Sequence, residues 1–420
     1  MMLIKGGRVI DPEKNAVETR DIYIENGVFA DMPRGTPDVV LDAAGLIVAP
    51  GLVDAHVHFR DPGLTYKEDI ITGALSAAAG GVTTVLCMPN TSPSVDSRET
   101  LEYVVLRARD ACINVLPYAA VTVGQKGSEL TDFSAVKAAG GVALSDDGSP
   151  LSSAAILREA MFKAKAENLI ICSHCEDAEL VKNYAVNEGA ISKQLGIHGR
   201  PSIAEEIMAA RDILIAQETG AHVHICHVSS KGSVELIRRA KADGVRVTCE
   251  TCPQYFSLTE DEILKQGSLA RVNPPLRTHA DVAAIIEGLR DGTIDIIVTD
   301  HAPHSEEEKS RPLEDAPSGM VGLETSLAVT LTYLYHTGKL SLAEIIGRMS
   351  REPSAIFGLP YGTLGAGAPA DLVIFDTDAE WTVEPQKFYS KGRNTPFSGM
   401  GLKGKVRYTV CGGKVVYKGE

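Results

Sequence analysis

The sequence lacks the features that mark membrane, secreted and nucleic-acid-binding proteins. It contains no run of about 18 apolar residues, so it predicts no transmembrane helix. Its first residues, Met-Met-Leu-Ile-Lys-Gly-Gly-Arg, lack the apolar core and the small-residue cleavage site of a signal peptide. With 41 basic against 55 acidic residues, the net charge of −14 argues against nucleic acid or an anionic membrane as a partner. We therefore expect a cytoplasmic protein with neither of these partners.

Cysteines are too few for a disulfide scaffold. Eight cysteines among 420 residues of ordinary globular composition are expected to be free thiols in a reducing compartment. Two Cys-x-x-Cys pairs, Cys172/Cys175 and Cys249/Cys252, look like halves of a zinc ribbon. They lie much further apart than the roughly 15 to 20 residues that separate such halves, so we expect no structural zinc there.

The two ends of the chain differ from its middle. Residues 1 to about 50 and the C-terminal segment contain short strands and turns, with Glu25-Asn26-Gly27 as a strong hairpin signal. The middle alternates apolar strands with helical segments, which is typical of a parallel sheet. We predict an α/β fold, a (β/α)8 TIM-type barrel of residues 51–362. The N- and C-terminal segments, residues 1–50 plus 363–420, are predicted to form a small, discontinuous β-sandwich domain.

Eight segments of the middle are strand candidates: 52–58, 83–88, 113–121, 141–145, 169–173, 222–228, 245–250 and 294–299. In a barrel of this kind the active site is built from the carboxyl ends of the strands. Residues of the types that bind metals or substrates lie at the ends of these segments or just after them: His56, His58, Asn90, Asp146, Asp147, His174, His227, Asp300 and His304. Their common placement predicts a site at one rim of the barrel. His222 and His224 are predicted to face the helix layer, and His198 and His279 the surface.

The stretch 54–63, Asp-Ala-His-Val-His-Phe-Arg-Asp-Pro-Gly, is the most informative part of the sequence. Residues two apart on a strand face the same side, so His56 and His58 can bind one metal ion together. Four of the histidines at the predicted rim, together with two of its aspartates, are too many ligands for one catalytic zinc ion. They suit a pair of metal ions about 3.5 to 4 Å apart.

The chain resembles the cyclic amidohydrolase (metallo-dependent hydrolase) superfamily and, within it, the type I dihydroorotases. The resemblance spans essentially the whole chain. It implies that residues 51–362 form a metal-dependent amidohydrolase barrel. Besides 54–63, it is carried by Met88-Pro-Asn-Thr, Ser145-Asp-Asp-Gly, Ser173-His-Cys-Glu-Asp, Cys226-His-Val-Ser-Ser, Val272-Asn-Pro-Pro-Leu-Arg and Thr299-Asp-His-Ala-Pro-His. It implies the reversible cyclisation of N-carbamoyl-L-aspartate to L-dihydroorotate plus water, in pyrimidine (UMP) biosynthesis.

The resemblance also implies a ligand set for two zinc ions per subunit. His56, His58 and Asp300 would hold one ion, and His174 and His227 the other. An aspartate and a hydroxide would bridge them. Asp147 matches the family pattern at the bridge better than Asp146, which stays an alternative.

Roles in catalysis and substrate binding are carried over in the same way. Asp300 would act as the general base in hydrolysis and the general acid in the reverse reaction. The substrate-binding residues implied are His58, Arg60, Asn90, Asn273, His304, Ser318 and Gly319. Among these, Arg60 can hold a carboxylate with two hydrogen bonds.

Two other interpretations remain open. Hydantoinases and allantoinases would share the histidines, but the fourth strand lacks their carboxylated lysine, and Lys137 belongs to the preceding helix. A non-catalytic, dihydroorotase-like scaffold for aspartate transcarbamoylase would have lost metal ligands, whereas here every position is filled. An active enzyme could still form a homodimer or bind such a transcarbamoylase. The charged segment after His304, residues 305–316, is either a solvated loop or a lid over the site.

Overall fold

The computed structural model describes residues 1–12, 16–32 and 35–419. The strands are β1 (Met2–Asp11), β2 (Ala16–Glu25), β3 (Val28–Ala30), β4 (Val39–Asp42), β5 (Ile47–Pro50), β6 (Leu52–Val57), β7 (Val82–Cys87), β8 (Asn114–Pro117), β9 (Leu144–Ser145), β10 (Ile171–Ser173), β11 (Val186–Asn187), β12 (Gly199–Arg200), β13 (Val223–Ile225), β14 (Val247–Thr251), β15 (Ile296–Ile297), β16 (Leu372–Thr382), β17 (Gly401–Cys411) and β18 (Lys414–Lys418).

The α-helices are α1 (Ile70–Ala79), α2 (Arg98–Ala108), α3 (Phe133–Ala138), α4 (Ala154–Ala166), α5 (Ala178–Val181), α6 (Ala190–Leu195), α7 (Ile203–Thr219), α8 (Lys231–Ala242), α9 (Pro253–Ser257), α10 (Glu262–Gln266), α11 (His279–Asp291), α12 (Glu306–Lys309), α13 (Ser326–Thr330), α14 (Leu342–Ile346) and α15 (Glu352–Ile356). Short 3-10 segments lie at Val123–Gln125, Gly267–Ala270 and Pro385–Lys387, and π-helical turns at Leu331–Tyr335 and Gly347–Arg351.

Eight parallel strands in the middle of the chain position the candidate site. They form one sheet of β6, β7 and β8 and another in the order β9-β10-β13-β14-β15. Single parallel bridges join the sheets at both edges, between Ala119 and Leu144 and between Val57 and His301. All eight predicted strands are therefore confirmed, and several are shorter than predicted. β15 ends at Ile297 because the backbone turns just beyond it, and Asp300 has a φ of +50°.

The two ends of the chain pair with each other, as predicted. Their sheet has the order β18-β17-β16-β5-β1-β2-β3, with β4 on β1. The antiparallel pairing of β16 with β5 joins the C-terminal segment to the N-terminal one. The predicted hairpin turn is confirmed at Asn26 and Gly27, which have φ angles of +50° and +80°. The short strands predicted for residues 1 to about 50 include two longer ones, β1 and β2, and the register between them is irregular between Ile4 and Gly7.

The long helices follow from capping signals in the sequence. Asp69 caps α1 in a capping box with Thr72, and Ser230 caps α8. Gly220 ends α7 in the left-handed conformation that favours glycine. Together with α4, these helices confirm the predicted alternation of strands and helical segments in the middle of the chain.

Two apolar cores support the structure. The larger one lies among the parallel strands and their helices and includes the fully buried Leu86, Tyr118 and Phe256. A separate cluster, including Ile4 and Leu372, lies between strands of the two chain ends. Among the described helices, none combines the length and apolar character that crossing a bilayer requires. All eight cysteines are free thiols.

Candidate binuclear metal centre and substrate cavity

The carboxyl ends of the parallel strands bring the six predicted metal ligands together. His56 lies near the end of β6, and the others follow the ends of β6, β9, β10, β13 and β15. All six side chains, those of His56, His58, Asp147, His174, His227 and Asp300, belong to buried residues. The site thus gathers residues scattered over about 245 sequence positions.

One group of ligand atoms surrounds Asp300. Its Oδ1 lies 3.0 Å from His58 Nε2 and 3.6 Å from His56 Nε2. His56, His58 and Asp300 form one of the clusters whose ligand atoms are close enough to hold one ion. These are the three residues that the family pattern assigns to one zinc ion.

A second group faces it. His174 Nδ1 lies 2.8 Å from His227 Nε2. Asp147 Oδ1 lies 3.2 Å from the first of these nitrogens and 3.3 Å from the second. These atoms converge on a point beside the first group.

Asp147 belongs to both groups. Its Oδ1 also lies 3.6 Å from His56 Nε2, and its Oδ2 lies 3.5 Å from His58 Nε2. Asp146 points elsewhere, since its Oδ1 accepts hydrogen bonds from the backbone N–H of Val121 at 2.8 Å and of Thr122 at 3.2 Å. The structure therefore puts Asp147 between the two groups and occupies Asp146 with the loop after β8.

The arrangement fits metal ions. His56 Nε2 is fully buried and has no hydrogen-bond partner within the described residues. The separations between the nitrogens of His56 and His58 and the oxygens of Asp147 and Asp300 are 3.0 to 3.6 Å, close to the roughly 3.3 Å expected between two ligand atoms of a tetrahedral zinc ion. Imidazole nitrogens with carboxylate oxygens are the donor set that zinc prefers.

The electrostatics point the same way. Burial by itself would lower the pKa values of His56 and His174, but Glu250 and Asp147 raise that of His56 well above its ordinary value, and Asp147 and Glu176 raise that of His174 to about 10. Burial would raise the pKa of Asp147, yet the histidines hold it well below its usual range. The cluster therefore favours an ionised carboxylate and added positive charge.

A cavity of about 180 Å³ opens above these groups. Its wall contains all seven predicted substrate-binding residues and five of the six predicted metal ligands, with His58 belonging to both sets. The lining residues are His58, Arg60, Asn90, Asp147, Gly148, His174, His227, Asn273, Asp300, Ala302, His304, Ser318 and Gly319. His56 lies beneath the wall. The predicted substrate residues thus share one space with the predicted metal ligands.

Arg60 supplies positive charge opposite the carboxylates. Its Nε donates to the carbonyl oxygen of Pro303 at 3.3 Å. Among the described residues, no carboxylate lies within ion-pair distance of its guanidinium. His304 stands beside it and accepts a hydrogen bond at Nδ1 from Lys67, while its Nε2 donates to the carbonyl oxygen of Ser318 at 2.9 Å. Burial, together with Arg60 and Lys67, lowers the pKa of His304, so its ring is neutral.

The two asparagines also contact the predicted metal ligands, which the sequence did not reveal. His58 Nδ1 lies 2.8 Å from Asn90 Oδ1, and since a carbonyl oxygen only accepts, Nδ1 carries a proton. Nε2, which faces Asp300, is then the nitrogen that can bind a metal ion. Asn273 Nδ2 lies 3.3 Å from His174 Nε2, and Asn273 Oδ1 accepts from Arg200 at 2.5 Å.

Backbone conformation adds to the precision of the site. Arg60, His227 and Asp300 have φ angles of +59°, +34° and +50°, in a region that non-glycine residues rarely adopt. Such conformations persist where surrounding contacts enforce them, and they are common at functional sites. At Gly319, with a φ of +134°, a Cβ atom would come within 2.8 Å of the Cβ of Ala302, so this cavity position requires glycine.

Lys309 is a functional candidate that the sequence analysis missed. It belongs to the charged segment 305–316, yet it is buried. Its Nζ donates to the carbonyl oxygens of Pro317 and Gly319, each at 3.0 Å. Arg271 holds the same segment through Leu313 and Ser318. The signal available in the sequence was only a lysine at the end of an acidic run.

Comparison with known proteins covers the whole chain. A family model described as "Dihydro-orotase-like" matches residues 45–233. The dihydroorotase of Clostridioides difficile (strain 630) is 50% identical, covering 99% of this chain and 100% of that protein. That of Acetivibrio thermocellus is 47% identical, with 99% of each chain covered. Among solved structures, the L-hydantoinase of Arthrobacter aurescens has a TM-score of 0.89 at 28% identity, covering 100% of this chain and 96% of that one.

These similarities, with the strand-end cluster of histidines and aspartates, define a cyclic amide hydrolase with the mixed α/β fold of the amidohydrolases. Within that class, identity of 47 to 50% over nearly the full length decides the assignment. The chain belongs to the dihydroorotase family.

Proposed function

We propose that this protein catalyses the reversible cyclisation of N-carbamoyl-L-aspartate to L-dihydroorotate plus water, a step of pyrimidine (UMP) biosynthesis. The observation that carries the proposal is the two-sided cavity. One wall presents the predicted metal ligands, and the other presents Arg60 without a carboxylate partner among the described residues. The substrate has two matching parts. It reacts at one carbonyl group, and it keeps a second carboxylate that needs a cationic partner.

The proposed cofactor is a pair of zinc ions in each subunit. His56, His58 and Asp300 would hold one ion and His174 and His227 the other, with Asp147 between them. When bound, the ions would polarise the carbonyl group under attack and lower the pKa of a water molecule toward neutrality. The proximity of Asp147 to both groups of nitrogens supports its bridging position.

Asp300 is the proposed proton carrier. Its carboxylate lies in the cavity wall beside His58. In hydrolysis it takes a proton from the attacking water and delivers it to the amide nitrogen that leaves the ring. In cyclisation it takes a proton from the ureido nitrogen and returns it to the departing oxygen.

The remaining carboxylate of the substrate is the proposed ligand of Arg60, Asn90 and His304. Arg60 offers a planar pair of donors. The backbone of Ser318 and Gly319, with Asn273 and His58, would contact the ring. Lys67 and Ser318 fix the orientation of the His304 ring before substrate arrives.

The finer architecture also belongs to the proposal. A closed (β/α)8 barrel over residues 51–362 is supported by the bridges at both edges of the parallel sheets. A β-sandwich domain from residues 1–50 plus 363–420 is supported by their shared sheet and their separate apolar cluster. We further propose that the protein works in the cytoplasm on small molecules, without nucleic acid or membrane, as a homodimer that can associate with aspartate transcarbamoylase. Light scattering and co-purification with that enzyme test these two associations.

A hydantoinase activity is the second candidate, favoured by the likeness to a solved L-hydantoinase. The strand that would carry a carboxylated lysine, β9, consists of Leu144 and Ser145. Lys137 lies in α3, and its Nζ donates to the carbonyl oxygen of Glu167. These placements favour dihydroorotate as the substrate.

The deciding experiment is turnover of the purified, zinc-loaded protein with dihydroorotate and carbamoyl aspartate, compared with hydantoin and allantoin. We expect reversible conversion of the first pair alone. Activity only on the other rings would refute the carboxylate pocket, and bound metal without any activity would support a scaffold.

A further inference from the structure

Glu250 is a fully buried carboxylate beneath the candidate metal centre. It lies in β14, whose sequence predicted only a strand. Its Oε1 is 2.5 Å from His56 Nδ1 and 3.2 Å from the backbone nitrogen of His227. Its Oε2 is 3.1 Å from His224 Nε2. One carboxylate thus contacts a predicted ligand of each zinc ion.

We propose that Glu250 is a positioning residue that holds both halves of the metal centre in their binding geometry. This inference rests on the proposed function, because it concerns ligands assigned there. An ionised carboxylate only accepts hydrogen bonds, so His56 must carry a proton on Nδ1, and Nε2 is the nitrogen left to bind a metal ion. That Nε2 is the buried nitrogen without a partner among the described residues.

The contact with His227 acts on the backbone. His227 has a φ of +34°, which a non-glycine residue adopts only when other contacts hold it there. Glu250 accepts the hydrogen bond of its backbone N–H, in the turn that follows β13. The same carboxylate therefore orients one ligand ring and stabilises the strained backbone of another.

A hydrogen-bonded chain supports Glu250 from below. His224 Nδ1 is 2.8 Å from Thr248 Oγ1, which is 2.9 Å from His222 Nε2. Since His224 Nε2 donates to Glu250, its Nδ1 accepts from the Thr248 hydroxyl, which in turn accepts from His222. Donation runs in one direction from His222 through Thr248 and His224 to Glu250, which accepts from His56 on its other oxygen. The prediction that His224 faces the helix layer is therefore wrong, because its side chain contacts Glu250 beneath His56. The buried His224 and the partly buried His222 have a role beyond packing.

The main test is Glu250→Gln, measured by zinc content and by the rate of zinc release to a chromophoric chelator. A glutamine amide places an N–H₂ group against donors, so it cannot satisfy His56, His224 and His227 together. We expect zinc release about 10- to 100-fold faster than from the wild type, the usual effect of losing a partner of a metal ligand.

Glu205→Gln is the matched control. Glu205 is also a buried carboxylate, and it accepts hydrogen bonds from the backbone N–H groups of Ser229 and Ser230, each at 3.1 Å, and from Arg277. We expect a loss of thermal stability comparable to that of Glu250→Gln, with zinc release unchanged. A purely structural role for Glu250 would make the two variants alike in both measurements.

Thr248→Val keeps Glu250 and removes only the hydroxyl that supports His224. We expect release about fivefold faster, as for the loss of one hydrogen bond. This variant decides the matter if Glu250→Gln fails to fold, since an unchanged release rate would then overturn the proposal. Equal release from folded Glu250→Gln and wild type would also overturn it. A wild-type protein that binds no zinc would instead refute the proposed function.

Discussion

The two walls of the cavity are built in different ways. The predicted metal ligands lie at or just beyond the ends of parallel strands, whose hydrogen-bonded ladders fix them relative to one another. The predicted carboxylate clamp consists mainly of loop residues, which a few side-chain contacts hold in place, such as those of Lys309 and Arg271. Damage to the first wall should therefore appear in metal content and kcat, and damage to the second in KM.

The largest effect should come from the centre of the metal wall. Asp147→Ala removes the carboxylate shared by both groups, so we expect loss of at least one zinc ion per subunit and of measurable turnover. Asp146→Asn is the matched variant, because its side chain contacts Val121 and Thr122 instead. It should retain zinc, as metal analysis of both proteins will show. If Asp146→Asn lost zinc and Asp147→Ala retained it, Asp146 would be the bridging residue instead.

Asp300→Asn should separate metal binding from chemistry. Asparagine keeps an oxygen ligand but cannot carry a proton, so we expect kcat to fall about 10²- to 10⁴-fold in both directions. Zinc content should stay near that of the wild type. Substantial turnover by the variant in either direction would exclude Asp300 as the proton carrier.

Arg60→Lys should affect the clamp wall alone. A lysine keeps the charge but loses the planar pair of donors, so we expect KM for both substrates to rise about 10- to 100-fold, with zinc content unchanged. Arg158→Lys is a suitable control, since Arg158 makes a two-point contact with Glu218 on the exposed surface. Unchanged saturation in Arg60→Lys would contradict the clamp.

The smallest effect is expected from Lys309→Met. Removal of the Nζ contacts should loosen Ser318 and Gly319 and raise KM by about three- to tenfold, without loss of zinc. A KM equal to that of the wild type would show that this anchor is not needed.

Lys309 should also contribute to the pH dependence of the free energy of unfolding. Burial and Arg271 lower its pKa to about 7, against about 10.4 in an unfolded chain. Between these pKa values Lys309 binds fewer protons in the folded protein than in the unfolded one. Its contribution should therefore increase the free energy of unfolding as pH rises from about 7 to 10. Urea titrations at pH 7 and 9 should show a smaller rise in Lys309→Met. An identical rise in both proteins would exclude this contribution.

The two walls of the cavity also differ in how much of each could be predicted from the sequence. The strand ends were predictable because parallel strands align their carboxyl ends, and this brings His174, His227 and Asp300 together without knowledge of any contact. Local sequence could not separate Asp146 from Asp147, since the difference lies in a hydrogen bond that Asp146 accepts from Thr122, in the loop after β8. Lys309 and Glu250 escaped notice because burial and long-range partners, not local patterns, give them their roles.

The terminal sheet has a consequence for synthesis on the ribosome. β5 pairs with β1 on one side and with β16 on the other, and its partner residues in β16 are Leu372 to Phe375. During translation the N-terminal strands must therefore wait, with one edge unprotected, until most of the polypeptide has been made. An open strand edge can join another chain. The edge of β5 in this chain is therefore open to such pairing until β16 has been made.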